Sequence, residues 1–354
     1  MIKKTPVLSI DRENEYRGRR VPDQRLGHGF AQHNRLIPQI TKAALSTLGL
    51  VHRLIRDSEL YDSVNSLETV KIGKREKVAL VVDVIAERLA AIELGRRLKQ
   101  FDPLILGEES LQDQSLDLAN ESRLVALLDM VDGTDLFERG LGNWCSAAAF
   151  FLPDEREIVG AFVGTPQGVV YYWTVDTPVP LKFDLRTKSV EPVRGPSEVR
   201  NLAESSIAFY GQKVVNFCSC ASSLAHERNR QLQTKGLSVR IYDLAGIPMM
   251  MNVIDGAGHR RIDAVFEIVG QNPHDVVPGA IIAQRAGATV LDLDGNPLDL
   301  VAALLRPADP NHRLKYVLAA TPELAAELLK SLRVNKETEQ SLRQSPFDLG
   351  EAAA

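Results

Sequence analysis

Hydrophobic positions in the first third of the chain repeat with the period of a helix. The residues that recur every three or four positions are Ile37, Ile40, Ala44, Leu48, Val51 and Ile55. This spacing predicts one amphipathic helix. A second amphipathic helix is predicted after Asp83, with Ile85, Leu89, Ile92 and Leu98 as its apolar positions.

From Pro103 onward, short apolar runs typical of buried strands replace the helical pattern. These runs are residues 103–107, 124–128, 146–152, 159–163 and 169–175. The last two are joined by the turn sequence 164–168, GTPQG, which predicts a hairpin.

Predicted strands and helices alternate after residue 196. The strands are 206–210, 238–242, 264–268, 289–293 and 316–320, and the helices are 222–233, 247–254, 276–286 and 322–332. Thr321 and Pro322 are a good start signal for the last helix. This alternation, with an antiparallel hairpin sheet ahead of it, predicts layered α+β and α/β structure.

Composition shifts along the chain predict four segments. Residues 1–30 are a polar, loosely ordered arm, and 31–196 an N-terminal α+β half. The Pro-rich, charged stretch 178–196 is the expected boundary. Residues 197–335 are a C-terminal α/β half, and 336–354 a disordered tail.

The overall composition is that of an ordinary globular protein. Of the 354 residues, 44% are hydrophobic and 25% charged, with a net charge of -4. A nucleic-acid partner is not expected, since no basic face is evident. No apolar run approaches the roughly 18 residues that span a bilayer, so no membrane association is expected. The three cysteines form no framework and the first residues lack a secretory core, so a cytoplasmic location is expected.

Four acidic stretches each follow a predicted strand or lie on a predicted helix. They are Glu108 and Glu109 after 103–107, Asp129 and Asp132 after 124–128, Asp275 before 276–286, and Asp83 with Glu87. Carboxylates at the ends of adjacent strands meet at one edge of a sheet and repel one another unless a cation lies between them. Mg²⁺ takes a few carboxylates and keeps sites for water or phosphate oxygens.

The loop after the second run offers several groups for such chemistry. Asp129 and Asp132 can supply oxygens to two metals, with the Val131 carbonyl between them. Gly133 allows a phosphate close to the backbone, and the Gly133 and Thr134 amides could donate to it. The Thr134 hydroxyl could hold the attacking water. Alone, this loop also suits a simple strand–turn–helix cap; Glu108 before it and Asp275 after it favour a metal centre.

These motifs resemble the inositol monophosphatase family of lithium-sensitive, metal-dependent phosphatases. That family carries G-E-E-S, D-P-[IV]-D-G-T-x-x-F and W-D-x-A-A-G, and the corresponding stretches here are 107–110, 129–137 and 275–279. The resemblance covers roughly residues 78–332. It implies an α-β-α-β-α layered sandwich of the inositol monophosphatase and fructose bisphosphatase type, and a homodimer.

The resemblance also implies a role for each matching residue. The implied metal ligands are Glu108, Asp129, Asp132 and Asp275, with the Val131 carbonyl. The others are Thr134 with Asp83 for activating water, Gly133 and Thr134 for holding phosphate, and Glu267 and Gly246 for contacting substrate. Two or three Mg²⁺ ions are the implied cofactors, with Mn²⁺ as an alternative.

The implied activity is hydrolysis of a small phosphorylated polyol or sugar by metal-activated water. A fructose-1,6-bisphosphatase or a 3′(2′),5′-bisphosphate nucleotidase would share this chemistry but need a further pocket. The candidate residues for that pocket are Tyr210, Lys213, His226 and Arg228. A non-catalytic binding relative is the remaining alternative. His274 replaces the family's Trp, and we expect it beside the metal ligands and not among them.

Overall fold

Two β-sheets contain most of the strands in the part of the chain that the computed structural model describes. The described residues are 30–58, 67–72, 75–108, 116–209, 224, 240–242, 244, 246–256, 261–309 and 312–333. The helices are α1 Phe30–Ser58, α2 Val81–Arg97, α3 Thr134–Glu138, α4 Ile247–Asp255, α5 Val277–Arg285, α6 Leu300–Leu305 and α7 Pro322–Arg333.

The strands follow two separate stretches of the chain. A small hairpin joins β1 Leu67–Ile72 to β2 Arg75–Leu80. The first large sheet holds β3 Leu104–Gly107, β4 Val125–Asp132, β5 Cys145–Leu152, β6 Glu157–Gly164, β7 Val169–Thr174, β8 Leu181–Asp184 and β9 Val190–Pro192. The second holds β10 Ser206–Phe209, β11 Arg240–Tyr242, β12 Ala264–Gln271, β13 Thr289–Asp292 and β14 Leu314–Ala319.

The first sheet runs in chain order from β3 to β9. Its β3 and β4 are parallel, and every later pair is antiparallel. The second sheet has the order β11-β10-β12-β14-β13, with β10 parallel to both its neighbours and β14 antiparallel to both of its own. The parallel β3–β4 pair brings two chain segments to the same edge of the first sheet.

Helices α4 and α5 lie between the two sheets. One core cluster joins Val163 of the first sheet and Val265 of the second to Met250 of α4 and Ile282 of α5. The far side of the second sheet packs on α7, and α2 packs on the outer side of β3 and β4. The layers therefore alternate α-β-α-β-α.

The hydrophobic pattern predicted most elements correctly. All six apolar positions of the first predicted helix are at most 2% exposed on α1, and the predicted hairpin is the β6–β7 pair. The Thr321 hydroxyl accepts the Leu324 amide at 3.2 Å, as an N-cap does. The stretch 178–196, predicted as a boundary, contains β8 and β9. The division of the chain at residue 196 stays a prediction.

The predicted apolar face of the second helix is confirmed at Leu98, which is buried just after α2, and is wrong at Ile85 and Ile92. Ile85 and Ile92 are 41% and 70% exposed. The buried positions are Val82, Asp83, Ala86, Glu87, Ala90 and Leu94. Small side chains next to the two carboxylates let the helix approach β3 and β4 with its acidic residues turned inward.

Several predictions fall on residues that the structure does not describe. They concern the arm up to residue 29, the tail 336–354 and the helix 222–233 apart from Leu224. Within the described ranges, no helix combines the length and apolar character needed to cross a membrane.

Candidate metal and catalytic site

The carboxyl ends of β3 and β4 place three carboxylates at one edge of the first sheet. Glu108 follows β3 directly, and β4 carries Asp129 and ends at Asp132. The pairing of β4 with β5 is irregular between Asp129 and Asp132, where the strand leaves its ladder. The Val131 amide there donates to Asp129 Oδ1 at 3.1 Å, which fixes that carboxylate.

A left-handed glycine turns the chain from β4 into α3. Gly133 has φ of +92°, a conformation that side chains with a Cβ rarely adopt. A Cβ at this position would lie 2.7 Å from the Asn143 carbonyl oxygen. Glycine is therefore required here for two independent reasons, and the turn it makes positions Thr134 at the start of α3.

A capped turn brings Asp275 to the same place. The Asp275 side chain accepts the Asn272 amide at 3.2 Å, while the Asn272 side chain accepts a backbone amide in return. One carboxylate oxygen from each of Asp129, Asp132 and Asp275 lies within 4.8 Å of the other two. The predicted convergence of these three carboxylates is present in the structure.

The site is strongly unfavourable for negative charge. Burial raises the pKa of Asp129 well above its usual range, and the charges of Glu108 and Asp132 add to the effect. Burial and the charge of Asp275 raise the pKa of Asp132 to about 8. Among the described residues, no lysine or arginine forms an ion pair with Asp129, Asp132 or Asp275. This donor set fits a hard divalent cation, which would neutralise the cluster.

Asp132 is held by groups that the sequence did not reveal. The Ile247 amide at the start of α4 donates to Asp132 Oδ2 at 3.0 Å, and the Cys145 thiol lies 3.7 Å from the same oxygen. Gly246 has φ of +108°, and a Cβ there would lie 3.1 Å from Asp132 Oδ2. A side chain at residue 246 would therefore crowd a metal-ligand candidate, and the predicted contact of Gly246 with substrate stays a prediction. The only hint of this contact in the sequence was the predicted start of α4.

Thr134 joins the β4–α3 turn to α2. Its Oγ1 lies 3.0 Å from Asp83 Oδ2 and 2.8 Å from the Val131 carbonyl oxygen. Asp83 is buried on α2, one turn before the buried Glu87. The Glu87 carboxylate fills the space beside Gly107, where an added Cβ would overlap its Cδ. The two residues predicted to activate water are therefore in contact.

Glu267 lies deeper than a substrate-contacting residue needs to be. It is 1% exposed, and its Oε1 accepts the Gly270 amide at 3.1 Å. Its other oxygen, Oε2, is buried without a hydrogen-bond partner among the described residues. Burial raises the pKa of this carboxyl. Contact with substrate would require Glu267 to be uncovered, and this role stays a prediction.

Other candidates lie outside the described residues. They are Glu109 and the four residues considered for a larger substrate, Tyr210, Lys213, His226 and Arg228.

Comparison with known proteins gives consistent matches over most of the chain. The family model described as "Inositol monophosphatase family" matches residues 39–336. The chain is 26% identical to Nus factor SuhB of Xylella fastidiosa over 241 residues, which cover 66% of this chain and 76% of that protein. It is 26% identical to inositol monophosphatase 2 of Solanum lycopersicum over 243 residues, 66% and 83% of the two chains.

The solved structures confirm the predicted fold. The IMPase of Thermotoga maritima superposes with a TM-score of 0.60 at 18% identity, over 84% of this chain and 97% of that one. At this identity the match concerns the fold, and that fold is the layered sandwich described above.

Proposed function

The chain belongs to the inositol monophosphatase family, and we propose that it is a Mg²⁺-dependent phosphomonoesterase acting on a small phosphorylated polyol or sugar. The predicted family and the predicted enzyme class, a phosphoric monoester hydrolase, are confirmed. One observation carries the rest of the proposal. Asp129, Asp132 and Asp275 converge within 4.8 Å, and no described lysine or arginine neutralises them.

The residues that would hold Mg²⁺ are the side chains of Glu108, Asp129, Asp132 and Asp275 and the carbonyl of Val131. When bound, the cation supplies Lewis-acid chemistry that activates water and offsets charge on the phosphoryl group and on the departing oxygen. Mn²⁺ prefers similar oxygen ligands and is the natural substitute.

Thr134 and Asp83 are the residues that would accept a proton from water. When the Thr134 hydroxyl donates to Asp83 Oδ2, its oxygen lone pairs remain able to accept a proton from water. Asp83 is then the acceptor at the end of a two-step path, from water to Thr134 Oγ1 and on to Asp83. The buried Glu87, one turn later on α2, packs against Gly107 at the end of β3.

The start of α3 suits a phosphate group. The first amides of a helix have no carbonyl partner one turn earlier, and they point toward the residue that precedes the helix. Gly133 and Thr134 are the two residues at this start, beside the carboxylate cluster. We infer that their amides donate to phosphate oxygens while the cation neutralises the charge.

Two alternative functions are phosphatases with a different substrate, and a third is a non-catalytic binding role. The fructose bisphosphatase and bisphosphate nucleotidase alternatives use the same carboxylates, and their extra pocket would involve residues outside the described ranges. A relative bears the name Nus factor SuhB, so a binding or assembly role also belongs among the hypotheses. The assembled Thr134–Asp83 pair favours catalysis, because a purely binding protein has no need for a proton path. The homodimer and the cytoplasmic location stay predictions.

A substrate panel tests the proposal. Purified protein would be incubated with Mg²⁺ and inositol monophosphate, sugar monophosphates, fructose 1,6-bisphosphate or 3′-phosphoadenosine 5′-phosphate, and released phosphate would be measured. We expect Mg²⁺-dependent release, highest with a polyol or sugar monophosphate. Preference for a bisphosphate would replace the substrate assignment, and no release from any compound would contradict the enzymatic proposal.

A further inference from the structure

His274 is a buried imidazole at the edge of the carboxylate cluster. It is 4% exposed, and neither ring nitrogen has a hydrogen-bond partner among the described residues. Burying a polar group without a partner is unfavourable, so each such group needs an explanation. A ligand that belongs at this position would supply one.

The position of the ring suits coordination better than hydrogen bonding. His274 Nε2 lies 3.2 Å from Asp275 Oδ1, yet the contact lacks the geometry of a hydrogen bond. One ligand atom from each of Glu108, His274 and Asp275 lies within 4.8 Å of the other two. Two ligand atoms bound at right angles, each about 2.1 Å from one cation, are about 3 Å apart.

We propose that His274 is itself a metal ligand, which completes a mixed nitrogen and oxygen site with Glu108 and Asp275. The sequence-based expectation placed this residue beside the ligands, and the structure favours a place among them. This inference rests on the metal centre proposed above, and it adds a preference of one cation position for a transition metal. Imidazole suits transition metals such as Zn²⁺ and Fe²⁺, whereas Mg²⁺ prefers oxygen ligands.

The consequence is a centre with two unequal cation positions. The position bounded by Asp129, Asp132 and Asp275 offers only carboxylate oxygens and suits Mg²⁺. The position bounded by Glu108, His274 and Asp275 selects a transition metal over Mg²⁺. Asp275 belongs to both groups and is the residue that would link them.

Pulsed EPR on the full chain, stripped of metal with a chelator and loaded with Mn²⁺ alone, tests this directly. Imidazole coordination gives a ¹⁴N coupling on Mn²⁺, and carboxylates give none. We expect this coupling in wild type and in His312→Ala, a control at a half-exposed histidine paired with Asp309. We expect its loss in His274→Gln and in His274→Trp. His274→Trp introduces the residue that the family usually carries at this position. It keeps the test valid if His274→Gln fails to fold.

Calorimetry supplies a second readout. In both His274 variants, Zn²⁺ affinity should fall at least 10-fold, whereas Mg²⁺ affinity should stay within about 3-fold of wild type. Binding of Mn²⁺ without a ¹⁴N coupling, or a coupling that survives both substitutions, would overturn the role of His274 and leave the phosphatase proposal intact. Absence of Mn²⁺ and Mg²⁺ binding in wild type would overturn both.

Discussion

Thr134 Oγ1 lies 3.0 Å from Asp83 Oδ2, a contact between residues 51 positions apart in the chain. It joins the β4–α3 turn to α2. Removing either end should leave the metal ligands in place and slow the chemical step. We therefore expect Thr134→Ala and Asp83→Asn each to lower kcat by roughly 10² to 10⁴-fold with little change in Mg²⁺ affinity, as measured by phosphate release and by calorimetry.

Thr134→Ser is the matched control for this pair, because it keeps the hydroxyl. It should retain kcat within about 10-fold of wild type. If Thr134→Ala and Thr134→Ser are equally active, the hydroxyl has no part in moving the proton.

The Gly133 turn should tolerate no side chain. Gly133→Ala adds a Cβ 2.7 Å from the Asn143 carbonyl oxygen at φ of +92°. Gly140→Ala is the matched control. Gly140 has φ of +69°, and no atom lies within 4 Å of an added Cβ, so this substitution introduces backbone strain without a steric clash. We expect Gly140→Ala to lower the free energy of unfolding by about 1–2 kcal/mol and Gly133→Ala by distinctly more, in urea titrations. Equal losses would mean that the Asn143 backbone moves aside.

The metal-free protein should lose stability as the pH rises. The Asp132 carboxyl keeps its proton in the folded state up to about pH 8, whereas in the unfolded chain it loses it near pH 4. Between these values the folded state binds more protons, so the free energy of unfolding falls as the pH increases. The protonated Asp132 carboxyl contributes its full share of the free energy of unfolding below about pH 4. This share is lost as the pH rises through about 8.

Urea titrations from pH 5 to 8 in excess chelator would measure this slope. Asp132→Asn should make it shallower, since the amide does not titrate, while the raised pKa of Asp129 keeps part of the slope. Saturating Mg²⁺ should stabilise the wild type more at pH 8 than at pH 5, because the cation binds the ionised carboxylates. A slope that is the same in Asp132→Asn and wild type would contradict the assigned pKa.

The orientation of α2 can be tested by two substitutions on opposite faces. Leu94 is 1% exposed and Ile92 is 70% exposed. We expect Leu94→Ala to lower the free energy of unfolding by about 2–5 kcal/mol and Ile92→Ala to change it by less than about 0.5 kcal/mol. A larger loss for Ile92→Ala than for Leu94→Ala would mean that Ile92 lies on the buried face, as the sequence pattern predicted.

Local patterns predicted the elements that built the site. The apolar run before Asp129 is the first part of β4. Glu108 after β3 and the two aspartates at the end of β4 meet because these strands are parallel. Strand ends and charge, both visible in the sequence, are enough to predict this convergence. The convergence of Asp275 with them followed from the order of motifs, and the structure supplies its cause in the Asn272–Asp275 cap.

Other features depend on contacts that no local pattern contains. The buried face of α2 could not be predicted from its apolar residues, because the helix turns the acidic residues Asp83 and Glu87 inward, toward β3 and β4. The Ile247 and Cys145 contacts to Asp132 join segments up to 115 residues apart. The burial of His274 changed its expected role for the same reason, since a sequence cannot show that a ring lacks partners.

The carboxylate cluster is proposed to be a Mg²⁺ centre for phosphate ester hydrolysis. Phosphate release by wild type and by Asp129→Asn, followed over a Mg²⁺ titration with the best substrate of the panel, tests it most directly. We predict saturable Mg²⁺ activation of wild type and a loss of at least about 10³-fold in Asp129→Asn at any Mg²⁺ concentration. Near-normal turnover by folded Asp129→Asn, or release by wild type that is unaffected by chelator, would contradict it.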